Sequence, residues 1–167
     1  MKKIIFYACF GLSLLSINAF AQKTGYSSSG GTSAGLRVGP DAGITLKHHV
    51  DNVAFEGILH LSQWFQGVTV LYHFFHQPIT SEIEGLDWFA GAGGHIWGYR
   101  SNFNDRPKWI PLNSSTGIGV DFVIGTQYNF PSAPINLSLD WKPAINLIGG
   151  TGWAYSSIAI SARYRWK

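Results

Sequence analysis

The sequence predicts an all-β fold, an eight-stranded antiparallel up-and-down transmembrane β-barrel, and three observations carry that prediction. The first is sustained alternation over Ile118 to Leu147, two runs hinged at Pro131-Ser132-Ala133-Pro134. Ile135, Leu137, Leu139, Trp141, Ile145 and Leu147 share one parity, and Asn136, Ser138, Asp140, Lys142 and Asn146 the other. Ile118, Val120, Phe122, Ile124, Tyr128 and Phe130 stand in the same way against Gly119, Asp121, Gly125, Gln127 and Asn129. Side chains alternate faces along a strand, so each run has an apolar wall and a polar wall. The second observation is an export signal at the start of the chain. The third is that no later apolar run reaches the roughly 20 residues of a spanning helix, so any insertion into a membrane is by strands.

Residues 1–21 read as a secretory signal peptide. Lys2-Lys3, an apolar run from Ile4 to Ile17 and Ala19-Phe20-Ala21 give the basic start, short apolar centre and small-x-small site, with cleavage expected after Ala21. Cys9 leaves with that peptide, so disulfides and thiol catalysis are excluded from the mature chain. Loss of Lys2 and Lys3 leaves ten basic residues against nine acidic. The basic pI therefore owes much to the leader, and no nucleic-acid partner is implied.

Residues 22–32 (QKTGYSSSGGT) are rich in Ser and Gly and read as a flexible periplasmic tether, and 33–167 as the barrel. The first strand is Ser33–Val38, with Arg37 on the polar side. A turn at Gly39–Gly43 leads into Ile44–Val50, where Thr45, Lys47 and His49 oppose Ile44, Leu46, His48 and Val50; Ser33–Val50 also admits a single kinked strand. Asp51-Asn52 turns into Val53–Trp64, with Phe55, Leu59 and Leu61 against Glu56, His60 and Ser62. A turn at Phe65-Gln66-Gly67 precedes Val68–His76, where Thr69, Leu71 and His73 oppose Val68, Val70, Tyr72 and Phe74. After the Pro78–Gly85 connection, Leu86–Arg100 sets Asp87, Gly91, Gly93 and His95 against Trp88, Ala90, Ala92 and Ile96. Ser101–Thr116 is the longest irregular piece. The central hairpin follows, then Trp153–Trp166, with Ser157, Ala159, Ser161, Arg163 and Arg165 on the polar side.

The polar parity collects Arg37, Lys47, Glu56, Asp121, Asp140, Lys142, Arg163 and Arg165, a charge network expected in the lumen. Alternation alone also allows a soluble lipocalin-like ligand-binding barrel with its apolar wall inside. The charged fraction of 13%, against roughly 25% in soluble domains, favours the membrane barrel. Aromatics near strand ends form two expected interfacial girdles. Trp88, Tyr128, Phe130, Tyr164 and Trp166 would lie on the periplasmic side, and Trp64, Trp97 and Trp153 on the outer side. Arg106, Lys108 and Trp109 in the Ser101–Thr116 loop form the candidate surface-loop contact for an unidentified partner.

Gly43-Ile44-Thr45-Leu46-Lys47-His48, Phe55-Glu56-Gly57-Ile58-Leu59, Gly119-Val120-Asp121 and the run Asn136 to Ala144 (NLSLDWKPA) resemble the small outer-membrane β-barrel proteins of Bacteroidota, whose architecture is similar to OmpX-like barrels. The likeness runs from about Gly35 to Trp166 and implies fold and outer-membrane location, not an activity. It also implies two partners, outer-membrane lipid and the barrel-assembly machinery, which reads the C-terminal strand; here Lys167 follows the aromatic Trp166.

Candidate chemistry is sparse. His60 and Ser62 share one strand face, the beginning of a serine-hydrolase arrangement, and a lipid A deacylase-like enzyme is the alternative function they suggest. His48, His49, His73, His76 and His95 include an adjacent pair that points to opposite faces, and no carboxylate stands at a recurring metal spacing. Gly91-Ala92-Gly93-Gly94 imitates a phosphate loop, but no helix follows it. The sequence thus predicts no catalytic residues, cofactor or metal. The expected function is a non-enzymatic outer-membrane barrel with a charge-plugged lumen, which supports the envelope or presents loops to partners.

Overall fold

The computed structural model describes residues 31–80, 82–100, 116–149 and 152–166. Eight strands follow in order: β1 (Thr32–Val38), β2 (Gly43–Val50), β3 (Val53–Leu61), β4 (Phe65–Pro78), β5 (Leu86–Tyr99), β6 (Thr116–Asn129), β7 (Ile135–Ile148) and β8 (Gly152–Trp166). Each is antiparallel to its sequence neighbours, and β1 also pairs with β8, closing a barrel. Closure gives every strand two hydrogen-bonded neighbours and leaves no open sheet edge. No helix occurs among the described residues. Ser33–Val50 is two strands rather than one kinked strand, with Ser33 opposite Lys47 and Arg37 opposite Gly43.

The proximal end of the barrel carries Thr32, Trp166 and the β2–β3, β4–β5 and β6–β7 connections; the distal end carries the others. The β2–β3 turn is only Asp51-Asn52, between the paired Val50 and Val53. Asp51 sits at φ 53°, the left-handed conformation that such a tight turn demands and that Asp tolerates. The next turn departs from the expected position. The chain reverses over residues 62–64, and β4 already begins at Phe65. Ser62 holds that earlier reversal: its Oγ donates to the Pro40 carbonyl (3.1 Å) and accepts from the Trp64 amide (3.4 Å).

Facing follows the alternation. Leu139 is 50% exposed on the outer wall while its neighbour Asp140 is 3% exposed inside. Leu36, Leu46, Leu59, Val70, Ile96, Phe122 and Ile158 are likewise exposed, so every strand contributes to an apolar outer belt. On this wall the Trp141 indole Nε1 donates to Ser156 Oγ at 2.5 Å. The interior is a packed core. Ile58, Leu71, Phe89 and Val123 form one buried apolar cluster, and Phe65, Trp97, Tyr99 and Ala144 form another at the distal end. Three register shifts interrupt the ladders, at His73/Phe75, Ile118/Gly119 and Ala144/Ile145.

Candidate functional site in the barrel interior

The distal half holds an ion network centred on Arg37. Its guanidinium donates two parallel bonds to Asp140, at 2.8 and 2.7 Å, and a third from Nε to Asp41 at 3.1 Å. The Lys142 ammonium lies 3.6 Å from Asp41 and 3.1 Å from Asp121, and Asp121 meets His95 Nδ1 at 2.6 Å. Bidentate arginine–carboxylate pairs are among the stronger charge-assisted bonds and also fix geometry. Asp41 was not anticipated, because a turn residue has no strand parity to read. Burial alone would raise its carboxyl, but Arg37 and then Lys142 beside it bring it below its ordinary value.

His60 is locked by a chain of donors. Trp97 Nε1, which can only donate, donates a hydrogen bond to Thr69 Oγ1 at 3.3 Å. The Thr69 hydroxyl then has its own proton free for His60 Nε2 at 2.9 Å. That leaves Nδ1 as the protonated nitrogen, donating to the Asp41 carbonyl at 3.2 Å. Both nitrogens are thus engaged away from Ser62, whose hydroxyl serves the Pro40 carbonyl. The two residues share a face, but no His–Ser hydrogen bond joins them as a nucleophile pair would require.

The proximal half is organised around Arg163 and Glu56, which form a close ion pair across the barrel. Arg163 also donates to Thr45 Oγ1 (3.2 Å), Asn136 Oδ1 (3.1 Å) and Ser138 Oγ (2.8 Å). The Thr45 hydroxyl donates to Glu56 Oε1 at 2.5 Å, and His73 Nε2 lies 3.0 Å from the other Glu56 oxygen. Lys47 stands opposite Glu56 in the register but reaches Gln127 Oε1 at 3.1 Å, with its ammonium 4.1 Å from the centre of the Phe89 ring. Arg165, expected to pair with a carboxylate, donates instead to the Phe130 and Ala133 carbonyls at 3.0 and 3.3 Å. It braces the β6–β7 connection at the mouth. Four buried cations (Arg37, Lys47, Lys142, Arg163) therefore face four buried carboxylates (Asp41, Glu56, Asp121, Asp140).

The aromatic residues fall into two groups. Trp88, Tyr128, Phe130, Tyr164 and Trp166 lie at the proximal end, none of them buried, with the Tyr128 and Phe130 rings 4.7 Å apart. Of the distal band, Trp97 is not on the outside as expected. Trp97 is 0% exposed, stacked on His95 at 3.6 Å and packed against Phe65, which continues the inward parity of Thr69. Trp64 packs against the same cluster from the turn. The reason is parity: Trp97 and Tyr99 share the face of His95, and that face points inwards. Trp153 lies outside the described side chains, and Arg106, Lys108 and Trp109 lie outside the described residues.

At the proximal mouth, His49, His76, Asp87 and Arg165 line a recess of about 830 Å³. Sequence alternation places His76 on the outer face with Phe74. The register shift between His73 and Phe75 reverses that parity and turns His76 inwards. Among the described residues, no three His, Cys, Asp or Glu side chains already converge as a metal centre.

No family model matches the chain, and no curated protein matches it. Among solved structures, it is similar to the crystal structure of the N-terminal beta-barrel domain of Pseudomonas aeruginosa OprF, with a TM-score of 0.53 and 11% identity over 84% of this chain and all of that one. At that identity the likeness is one of fold.

Proposed function

We propose that this chain is a non-enzymatic integral outer-membrane β-barrel whose lumen is closed by ion pairs, and that it supports the envelope or presents loops at the cell surface. The inverted distribution of side chains carries the reading. An apolar belt circles the outside while eight charged side chains are buried inside. In water such a belt would greatly exceed the few hundred Å² of contiguous apolar surface that soluble monomers expose. In a bilayer the same belt faces hydrocarbon, and the closed sheet pairs the backbone of each strand with that of its two neighbours. The arrangement runs against the lipocalin-like alternative, which needs its apolar wall inside.

The signal peptide would deliver the chain to the periplasm, and the barrel-assembly machinery would read the C-terminal strand. The proximal end would then face the periplasm, with Trp88, Tyr128, Phe130, Tyr164 and Trp166 at headgroup depth. The distal loop containing Arg106, Lys108 and Trp109 would face outwards as the contact surface. Resemblance to the Bacteroidota barrels supports this placement. The engagement of His60 with Thr69 and the Asp41 carbonyl argues against the lipid A deacylase-like alternative. Eight strands enclose little more than side chains, and here those side chains interlock across the axis.

Membrane fractionation tests the location. The protein should stay in the outer-membrane fraction after a sodium-carbonate wash and migrate differently on gels before and after boiling; release by carbonate overturns the reading. In planar bilayers the purified protein should show no large stable conductance at neutral pH, and porin-like steps would reject the closed lumen.

A further inference from the structure

The proximal mouth has features that the closed lumen does not require. His49 on β2, His76 on β4 and Asp87 on β5 line one recess there. His76 reaches it only through the register shift in β4, and is 9% exposed. Bulges of this kind interrupt the ladder and recur beside functional sites, where they re-aim a side chain. Neither nitrogen of His76, nor Nδ1 of His49, has a hydrogen-bond partner, although all three atoms are buried. Buried polar atoms are normally paired, so three unpaired imidazole nitrogens in one recess call for a ligand.

The spacing identifies its class. The His49 and His76 rings are 5.1 Å apart. Two imidazoles on one tetrahedral zinc, each nitrogen about 2 Å from the ion, place their ring centres roughly 5 Å apart. Asp87 Oδ2 lies 3.9 Å from His76 Nε2. Neighbouring ligand atoms on such an ion are about 3.4 Å apart, so this pair stands about half an ångström wider than a ligated pair. Asn129 Nδ2 (3.1 Å) and Gln127 Nε2 (3.5 Å) both donate to Asp87 Oδ2, which orients the carboxylate as outer partners do around a metal. Imidazole with carboxylate suits zinc-like ions rather than calcium or magnesium. Opposing charge comes from Lys47 beneath the recess, engaged with Gln127, and Arg165, tied to the Phe130 and Ala133 carbonyls. Glu84 at the rim adds negative charge.

We infer that the barrel mouth binds a divalent transition-metal ion of the zinc class through His49 and His76, with Asp87 as third ligand and the fourth position open to water. The site belongs to the barrel and does not rest on its location in a membrane. Full-length mature protein without a histidine tag, refolded in detergent and titrated calorimetrically with zinc sulfate, should take up one ion per chain. His49→Gln and His76→Gln should each weaken uptake at least tenfold, and Asp87→Asn should weaken it severalfold. His48→Gln, on the outward face of β2, should leave it unchanged. Cobalt(II) added to the unmodified protein should give the intense visible bands of a tetrahedral site, a readout that needs no variant to fold. Absence of one-to-one uptake, uptake indifferent to the His49/His76 double substitution, or only weak octahedral cobalt bands would each overturn the assignment.

Discussion

Asp140→Asn isolates the central distal contact with little change in volume. In the parent, Asp140 accepts both parallel bonds from Arg37 and is 3% exposed. The amide keeps the shape but not the charge, and a buried guanidinium that loses its counter-ion costs about 3–5 kcal/mol. Arg37 retains Asp41 at 3.1 Å, so the low end of that range, about 3 kcal/mol, applies. With a urea slope of about 1–3 kcal/mol per molar, the unfolding midpoint should fall by about 1–3 M. The assay is urea unfolding in detergent micelles, followed by tryptophan fluorescence and by gel mobility without boiling. The companion variant is Arg37→Met with Asp140→Leu, which removes both charges and leaves Asp41 its contact with Lys142 at 3.6 Å. Replacing a buried pair by apolar groups is near neutral, so this double variant should recover to within about 1 kcal/mol of the parent. A single variant with an unchanged midpoint, or a double variant no better than the single, would refute the claim that these ions are held by each other.

Trp97→Ala should destabilise the barrel by about 3–5 kcal/mol, because a large side chain leaves a packed interior; a loss under about 1 kcal/mol in the same urea assay would return Trp97 to the surface. A lipid-borne quencher should reach a fluorophore at Leu139→Cys and not one at Ser138→Cys, since Leu139 faces out and Ser138 is buried; the opposite pattern would invert the walls. Asp41 lies in the β1–β2 turn with its carboxyl below the ordinary value, so the unfolded chain binds its proton first as pH falls. Its contribution is therefore full above the ordinary carboxyl range and is lost as pH falls towards the lowered value. Urea midpoints measured from pH 7 to pH 3 should decline less steeply in Asp41→Asn than in the parent, and parallel declines would count against the Arg37–Asp41–Lys142 contact.

Strand parity made most of this architecture legible because the period is short and the two walls differ so sharply in chemistry. Glu56, Asp121, Asp140, Lys142 and Arg163 could be placed on one side of the sheet from alternation alone, and their interior positions follow once the apolar wall faces out. Trp97 was legible in the same way, since it shares parity with His95. The preference of aromatics for strand ends pointed elsewhere, and the parity signal was the better guide. Parity says nothing about which charges meet, however. Lys47 is opposite Glu56 in register yet bonds to Gln127, because Arg163 from the far side of the barrel already occupies that carboxylate.

What the sequence hid lies where alternation stops. Asp41 sits in a turn, where direction is set by backbone torsions rather than by a period of two, and its inward aim turns five expected lumen cations against three anions into a balanced interior. Arg165 completes that change by leaving the network for the carbonyls of the β6–β7 connection. His76 lies beyond a bulge, and the only trace of it in the sequence is the adjacent Phe74-Phe75, two large apolar residues where one should be polar. A bulge sacrifices ladder hydrogen bonds locally, and lumen packing needs no third histidine at the proximal end. The same interruption that defeats a parity reading thus marks the place where the fold departs from regularity to set His76 beside His49. A regular β4 would have left residue 76 on the outer wall with Phe74.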